Sequence, residues 1–419
     1  MPRYSWVVLV LMYLAAITAP LNMFKVQALM PVIIPALSIP ITSAAVLMSV
    51  FSIAGLVLAL PGGILVQRLG VKASIVIAIS ATALGSVIGV LSTGFEMLAV
   101  SRVIEGIGFG LLGVAAPSGI SIWFPRDRRG LPLGVFTTWV PFGMMVMLAV
   151  APFLGQTFGS PEALSWQASW WFGAIFAVVI LVLVVLFFRM PTPEEAQQLH
   201  GAEAVQKEGS EDALAAFKGS LKVLRNGKLW LLALIFAIFN MAGPGGITQF
   251  LPTYLQDPLV PGGFGLGLDL TTANLLTAAS AFVVFFAEPV CGLISDKIGS
   301  RKKIIMLPLF GLTVTAVVIF NPSLGMVGVC IAMFFLAVFS SGTSTGTYAA
   351  SPEIAGRPEY SGMAMGVAAV GQNLGLLVGP LVISNVLVGV GGSWLSVALF
   401  CLVPLVAVAF VLSLFLKVR

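Results

Sequence analysis

Apolar runs long enough to cross a bilayer recur along the whole chain, and no other property of the sequence narrows its possible folds so far. A helix rising about 1.5 Å per residue needs about 20 apolar residues to cross the hydrocarbon core. Such runs stand at about 6–36, 43–66, 73–92, 96–123, 131–154, 168–188, 229–255, 270–294, 303–320, 324–350, 361–389 and 394–416. Backbone groups in hydrocarbon must be satisfied inside their own segment, so the runs predict helices. Composition agrees: 59% of the 419 residues are hydrophobic and 9% are charged, against about 25% charged in a soluble domain. The expected fold class is an all-α membrane protein of twelve transmembrane helices, with both termini on one side. The run after Arg3 extends well past a signal-peptide core and reads as an uncleaved first helix.

Several chemistries are excluded early. Cys291, Cys330 and Cys401 lie in apolar stretches without paired spacing, which argues for packing and against disulfides or a metal site. The single histidine, His200, sits in a polar loop, so histidine relays and histidine-based metal catalysis are ruled out. There is no GxxxxGK[ST] phosphate loop, no Ser-His-Asp set and no nucleic-acid motif. No cofactor and no enzymatic activity are expected.

Basic residues orient the chain, because short cytoplasmic loops collect Lys and Arg. With a cytoplasmic N-terminus, the inner segments hold Arg3, Arg68, Lys72, Arg126, Arg128, Arg129, Arg189, Lys207, Lys218, Lys222, Arg225, Lys228, Lys297, Arg301, Lys302, Lys303, Arg357, Lys417 and Arg419. That is all but two of the 21 Lys and Arg, and the outer loops hold none. The exceptions are Lys25 in the first span and Arg102 in the fourth. The expected location is the plasma (inner) membrane, with both termini cytoplasmic.

The one long polar segment separates six spans from six. This divides the chain into an N-terminal bundle (1–190), a cytoplasmic linker (191–228) and a C-terminal bundle (229–419). The linker begins acidic and poor in apolar residues, which reads as flexible. Near its end Leu214, Phe217, Leu221 and Leu224 recur at helical spacing among Lys218, Lys222 and Arg225, predicting an amphipathic helix on the membrane surface. The halves also repeat. Gly63-Ile-Leu-Val-Gln-Arg68-Leu-Gly70-Val-Lys72 and Gly292-Leu-Ile-Ser-Asp296-Lys-Ile-Gly299-Ser-Arg301 place Gly, a polar residue, a base and Gly at identical spacing. Repeated halves with a substrate site near the midplane between them are a transporter architecture.

At these residues the chain resembles the major facilitator superfamily. Residues 292–303, GLISDKIGSRKK, match that family's loop signature of Gly, Asp, base, Gly and a basic run. The first copy departs from it, with Gln67 where the family usually has Asp and Ala73 where a second base is common. Arg102-Val-Ile-Glu105-Gly106-Ile-Gly108 is similar to the family's helix-4 signature. Trp123-Phe-Pro-Arg-Asp-Arg-Arg-Gly130 resembles its helix 4–5 junction, notably in organic-anion transporting branches. The resemblance spans the chain and implies two pseudo-symmetric six-helix bundles rocking about a cavity lined by helices 1, 4, 7 and 10, in a monomer. It also implies that Gly63, Arg68, Gly70, Gly292, Asp296, Gly299 and Arg301 form a latch favouring the state closed to the cytoplasm, with the second copy dominant because Gln67 replaces an acid.

Charge inside a span is costly and marks function by default. Arg102, six residues after Glu96, lies about 9 Å inside the outer face, and Lys25 about 16 Å from the outer end of its helix. Two fixed cations in a low-dielectric cavity would hold a small anion, Arg102 bidentately and Lys25 as a point charge. The alternatives are that Arg102 pairs with Glu105 at i, i+3 and that Lys25 snorkels to the outer headgroups. Glu105 and Glu288 are carboxylates within spans and candidates for carrying a coupled proton, with structural pairing as the alternative. Asn22, Trp139, Asn240, Tyr348 and Gln372 are the uncharged candidates for substrate contact. Ser340 to Tyr348 is unusually polar for a span, from close packing or from substrate contact, and Pro141 to Gly143 and Gly375 to Pro380 are hinge or close-packing segments.

These readings converge on a secondary transporter of a small organic anion, by symport with protons or exchange for a counter-anion, partnered otherwise only by membrane lipid. Two rivals stand. A drug or hydrophobic-compound exporter would not need Arg102. A non-transporting sensor with the same fold would usually carry an appended soluble domain, whereas here two residues precede Arg3 and the chain ends at Lys417-Val-Arg419.

Overall fold

The computed structural model describes residues 4–125, 128, 130–160, 163–200, 221–256, 266–356 and 360–416. Among the described residues, twelve helices are long and apolar enough to cross a membrane. They are α1 (Tyr4–Leu37), α2 (Ile41–Leu58), α3 (Val71–Val90), α4 (Phe95–Trp123), α5 (Gly130–Thr157), α6 (Gln167–Phe187), α7 (Gly227–Leu255), α8 (Leu270–Ile298), α9 (Arg301–Ile319), α10 (Gly325–Ala355), α11 (Ser361–Gly389) and α12 (Trp394–Leu414). The expected spans recur with shifted ends. The second stops at Leu58, before Pro61, whose ring and missing N–H disfavour a continuous helix, and Gly62–Leu69 forms a separate short helix. The eighth runs on to Ile298, so Asp296 is helical, and ends at Gly299 in the left-handed conformation (φ 64°) that glycine adopts without penalty. Gly70 likewise has φ 79°.

α1 to α6 pack on one another, as do α7 to α12, and the two bundles meet along α2–α11, α5–α8 and α1–α7. Lipid-facing stripes follow from the helical period. On α6, Trp171, Ile175, Val178 and Val182 are exposed, while Trp170, Ala177, Ile180 and Val184 are buried. Lipid offers no hydrophobic drive between helices, so close approach relies on small residues. Gly371, Gly375 and Gly379 of α11 form such a row against α7: added Cβ atoms would lie 2.2, 2.4 and 2.7 Å from the carbonyl oxygens of Ala233, Ala237 and Met241. Gly375 to Pro380 is thus a close-packed segment within a continuous helix. Gly143 does the same on α5, where a Cβ would meet Pro20 at 2.7 Å.

Two helices in corresponding positions of the halves are interrupted. α1 breaks at Phe24 (φ −87°, ψ 4°), between Tyr4–Met23 and Lys25–Leu37. α7 carries a π-helical turn at Gly243–Thr248, containing Pro244. Such paired interruptions near the midplane leave backbone groups available to side chains or ligands.

The linker is not uniformly flexible. Pro193–His200 is helical, and Thr192 and Glu195 form a reciprocal capping box: Glu195 Oε2 accepts from Thr192 N at 2.9 Å and Thr192 Oγ1 from Glu195 N at 3.3 Å. Arg189 grips Glu195 at 2.6 and 2.8 Å and lies over the rings of Tyr4 and Trp123. The Tyr4 hydroxyl donates to the Phe187 carbonyl. The Arg189 hydrogen bonds hold the Glu195 carboxyl down at about 2. Being depressed in the folded state, it favours this anchor above the ordinary carboxylate range, and that contribution is lost as pH falls through about 2. Of the expected amphipathic helix, Leu214, Phe217 and Lys218 lie outside the described residues. Leu221–Arg225 is a short 3-10 turn with Val223 buried.

Glycine rows and open glycines should behave differently. Gly371→Ala is expected to cost on the order of 1–3 kcal/mol by overpacking, lowering the melting temperature in detergent. Gly63→Ala, with nothing within 4 Å of an added Cβ, should leave it unchanged.

Candidate functional site

The interior of the first bundle is built around one carboxylate. Glu105 of α4 has no solvent exposure, and neither do Lys25 and Arg102. Lys25 Nζ lies 2.6 Å from Glu105 Oε1, and Arg102 Nη1 lies 2.5 Å from Oε2. The Ser86 hydroxyl of α3, 2.7 Å from Oε1 and 2.8 Å from Asn22 Oδ1, joins the acid to α1, and Lys25 donates to Ser86 Oγ at 3.1 Å. The Asn22 amide donates in turn to Thr18 O.

Arg102 is spent mainly on backbone. Its guanidinium donates to the carbonyls of Asn22 (2.7 Å), Met23 (2.7 Å) and Leu47 (3.3 Å) and stands 4.7 Å from the Phe51 ring centroid. The first two carbonyls immediately precede the break at Phe24, so Arg102 clamps the interruption of α1 to α2 and α4. Lys25 stands 4.6 Å from the Trp170 ring centroid on α6. Glycines make room: a Cβ at Gly85 would lie 2.7 Å from Glu105 Cγ, and one at Gly173 would lie 2.2 Å from Asn22 Oδ1 and 3.2 Å from Lys25 Nζ. Two cations against one carboxylate leave the cluster with a net charge of +1 where screening is weak.

The predicted cations therefore meet, at a common depth and on a common acid. The i, i+3 pairing of Arg102 with Glu105 is present. Lys25 does not snorkel; its ammonium turns inward because Glu105 offers what the headgroups would. Neither cation is exposed to a cavity in this conformation.

The uncharged candidates are dispersed. Asn22 belongs to the cluster. Trp139 is 8% exposed and stacked between Phe109 and Phe136, at 5.2 and 5.6 Å between ring centroids. Asn240 is buried and donates to Phe236 O at 2.8 Å. Tyr348 donates to Gln372 Oε1 at 2.6 Å, both half-buried. In the polar run of α10, Ser341 and Thr343 bond back to Ala337 O and Phe339 O, while Gly342 and Gly346 admit Pro308 and Ile305 of α9, so packing accounts for much of it. Glu288 of α8 is half-buried and has no ion-pair partner among the described residues.

In the second loop copy, Arg301 pairs with Asp296 (2.8 Å) and with Glu353 of α10 (2.9 Å) and donates to Ser295 Oγ (2.6 Å). Ser295, Asp296, Gly299, Arg301 and Glu353 line a cleft of about 260 Å³. All these bonds lie within the second bundle, so rocking of the bundles does not of itself break them. Arg68 in the first copy is exposed and has no ion pair among the described residues. Gly63 and Gly292 have no close neighbour that a Cβ would displace, whereas Gly70 and Gly299 are needed for their positive φ.

Sequence reasoning missed several participants. Ser86, Gly85 and Gly89 sit at the small-residue spacing that marks close packing, a signal that was there to read; a Cβ on Gly89 would lie 2.2 Å from Trp170. Gln27 and Asn274 carried no signal, yet they bridge the bundles: Gln27 donates to Thr248 O at 2.9 Å, and Asn274 to Ala28 O at 3.0 Å. With Thr253 to Met30 Sδ and Gln156 to Thr271, these bonds close the half of the molecule farther from the termini. Glu353 likewise became visible only through its contact with Arg301.

The sequence matches the family model "Major Facilitator Superfamily" over residues 12–264 and 258–419. It is 24% identical to the hexuronate transporter of Bacillus subtilis, over 69% of this chain and 64% of that protein. It is also 24% identical to the cis,cis-muconate transport protein of Acinetobacter baylyi, over 50% and 47%. To a probable nitrate/nitrite antiporter of Thermus thermophilus it is 26% identical, over 61% and 52%. The matched region thus spans between about half and two thirds of these relatives. In fold it is similar to a bacterial homologue of the human lysosomal transporter Spinster (TM-score 0.76, 15% identity, 100% of this chain and 97% of that one). It is similar also to the proton:xylose symporter XylE (TM-score 0.70, 15% identity, 98% and 95%).

The cluster's members should differ in how far the fold depends on them. Glu105→Gln leaves two buried cations without an acid, and is expected to cost roughly 3–5 kcal/mol. Lys25→Met leaves a neutral Arg102–Glu105 pair and should cost much less. Thermal unfolding of the two variants in detergent measures the difference.

Proposed function

Since the chain belongs to the Major Facilitator Superfamily, and is accordingly a multi-pass membrane protein and not an enzyme, we propose that it is a secondary transporter of a small organic anion, a carboxylate, working by alternating access. The observation that carries this reading is the buried Lys25–Glu105–Arg102 cluster with its net positive charge at the break of α1. A fixed cationic field in a low-dielectric interior raises the local concentration of anions and opposes cations. Because both cations are covered in this conformation, they act on the substrate through their field, and direct contact falls to neutral groups such as Trp139, Tyr348 and Gln372. Relatives named for hexuronate, cis,cis-muconate and nitrate or nitrite point to the same charge class.

The inter-bundle bonds of Gln27, Asn274, Thr253 and Gln156 support a state closed at the face away from the termini. The partition of Lys and Arg supports cytoplasmic termini in the inner membrane, which makes that state closed to the outside. We read the unit as a monomer of two six-helix bundles, 1–190 and 229–419, joined by the linker at 191–228. The loop bonds of Asp296, Arg301 and Glu353 stiffen the second bundle so that it moves as a body.

Uptake into proteoliposomes tests the reading, with radiolabelled mono- and dicarboxylates that include a hexuronate and cis,cis-muconate, with an inward proton gradient or with anion trapped inside. Carboxylate flux in either mode is the expected result; extrusion of a hydrophobic dye without anion flux overturns it. Lys25→Met removes one unit of field, which on the order of 10 Å away at an effective dielectric of about 20 is worth about 1.7 kcal/mol. Its KM for the carboxylate should rise more than tenfold, about 1.4 kcal/mol per factor of ten, while an uncharged substrate would be unaffected.

A further inference from the structure

At the end of the molecule that holds the termini, a second apolar cluster stands apart from the main core. Val223, Leu229, Ala233, Met363, Ala364 and Val367 are buried in it together. Leu229 and Ala233 are one turn apart on α7, and the three residues from Met363 to Val367 lie on the first turns of α11. Val223 differs from them in origin, because it belongs to the linker and to no span. Leu60 packs against the cluster as well, and it is the contribution of the first bundle.

Local hydrogen bonds hold Val223 to the second bundle. Leu221–Arg225 makes the 3-10 turn, and Asn226 follows as the N-cap of α7. The Asn226 side chain accepts from Lys228 N at 3.1 Å and donates to Ile354 O of α10 at 3.2 Å. The Trp230 indole of α7 donates to Leu224 O at 2.8 Å. Every one of these bonds runs to α7 or α10, so the turn travels with the second bundle.

Leu60 reaches the cluster from the other side. It precedes Pro61, where α2 gives way to the short helix Gly62–Leu69. α11 meets α2 along a face that carries Gly366 and Asn373, seven residues apart. A Cβ on Gly366 would lie 2.8 Å from Ala59 O and 3.3 Å from Leu60 Cδ2, and one on Gly55 would lie 2.2 Å from Asn373 Oδ1. The bundles therefore touch at this end of their seam too, opposite the bonds that Gln27 and Asn274 make at the far end. Apolar burial and the close approach of a glycine make the contact, and parting it strands no charge. A path toward the termini cannot open along α2 and α11 until Leu60 has left the cluster.

We infer that the end of the linker is a working part of the inner gate. Val223, carried by the second bundle, completes the apolar seat that Leu60 of the first bundle occupies, and Leu60 leaves that seat when the bundles rock open toward the cytoplasm. The linker thereby helps to set how readily the carrier opens inward. The inference rests on the alternating-access reading and on cytoplasmic termini, and is independent of the substrate's charge.

The test uses the full chain in membrane vesicles with Cys291→Ala, Cys330→Ala and Cys401→Ala, and follows labelling by a membrane-impermeant maleimide at one reporter per chain. Ala364→Cys, fully buried in the seat, reads opening at the inner face. Ala28→Cys, fully buried where Asn274 bonds the backbone of α1, reads opening at the outer face. A contact made in one state alone shifts the populations when it is removed, so Leu60→Ala and Val223→Ala should each speed labelling of Ala364→Cys roughly fivefold or more and slow that of Ala28→Cys. Asn226→Ala loosens the turn without touching the seat, should act in the same direction, and decides the linker's part if Val223→Ala does not fold. Labelling that neither linker variant changes overturns the inference, whatever Leu60→Ala does. Faster labelling of Ala364→Cys with no change at Ala28→Cys overturns it also, because that is local loosening and not a gate. Both reporters speeding up together overturns alternating access itself, and this inference with it.

Discussion

A single acid shared between two bases inside hydrocarbon governs how the first bundle can be arranged. Glu105 fixes Lys25 of α1 and Arg102 of α4, Ser86 ties in α3, and Trp170 of α6 covers the ammonium. Arg102 extends the network to α2 through Leu47 O and to the α1 break through Asn22 O and Met23 O. Five of the six helices of that bundle thus meet at one electrostatic knot. Any rearrangement inside the bundle would expose an unpaired charge to low dielectric, which is far costlier than sliding two apolar surfaces past one another. Motion is thereby directed to the boundary between bundles.

That boundary has the opposite character. Its contacts are backbone carbonyls, amides, glycines and aromatic edges: Gln27 to Thr248 O, Asn274 to Ala28 O, Gly55 against Asn373, and Phe142 near Phe285. Neutral hydrogen bonds contribute about 1 kcal/mol each and can be exchanged for water without stranding a charge. The interruptions of α1 and α7 lie where these contacts begin, so the place where each helix is least regular is also where the halves touch. A stiff, charged interior and a soft, neutral seam are what alternating access requires of a two-bundle molecule.

The twelve spans were legible because hydropathy is a local property that tertiary structure does not override. Arg102 and Glu105 were visible as a pair through their spacing of three. That Lys25 joins them was not, because it depends on how α1 crosses α4, and two charges 80 residues apart give no local sign of meeting. Thr192 and Glu195 spell a capping box, but the acidic, apolar-poor composition around them masks it, so in sequence this short helix looks like flexible chain. Gln27 and Asn274 had nothing to mark them: an amide in a span is ordinary until a facing carbonyl gives it work. Glu353 stood outside the expected tenth span, and only its bond to Arg301 brings it into the loop motif.

An anion carrier must have an interior that selects for negative charge. The most direct measurement is equilibrium binding to the purified protein in detergent, comparing each carboxylate carried in the uptake panel with its neutral primary amide of the same shape. The cluster's field predicts saturable binding of the acid and at least tenfold weaker binding of the amide, about 1.4 kcal/mol or more. Equal affinity for the two would show that the buried +1 charge serves the fold alone, and would contradict the assignment of this chain as an anion carrier.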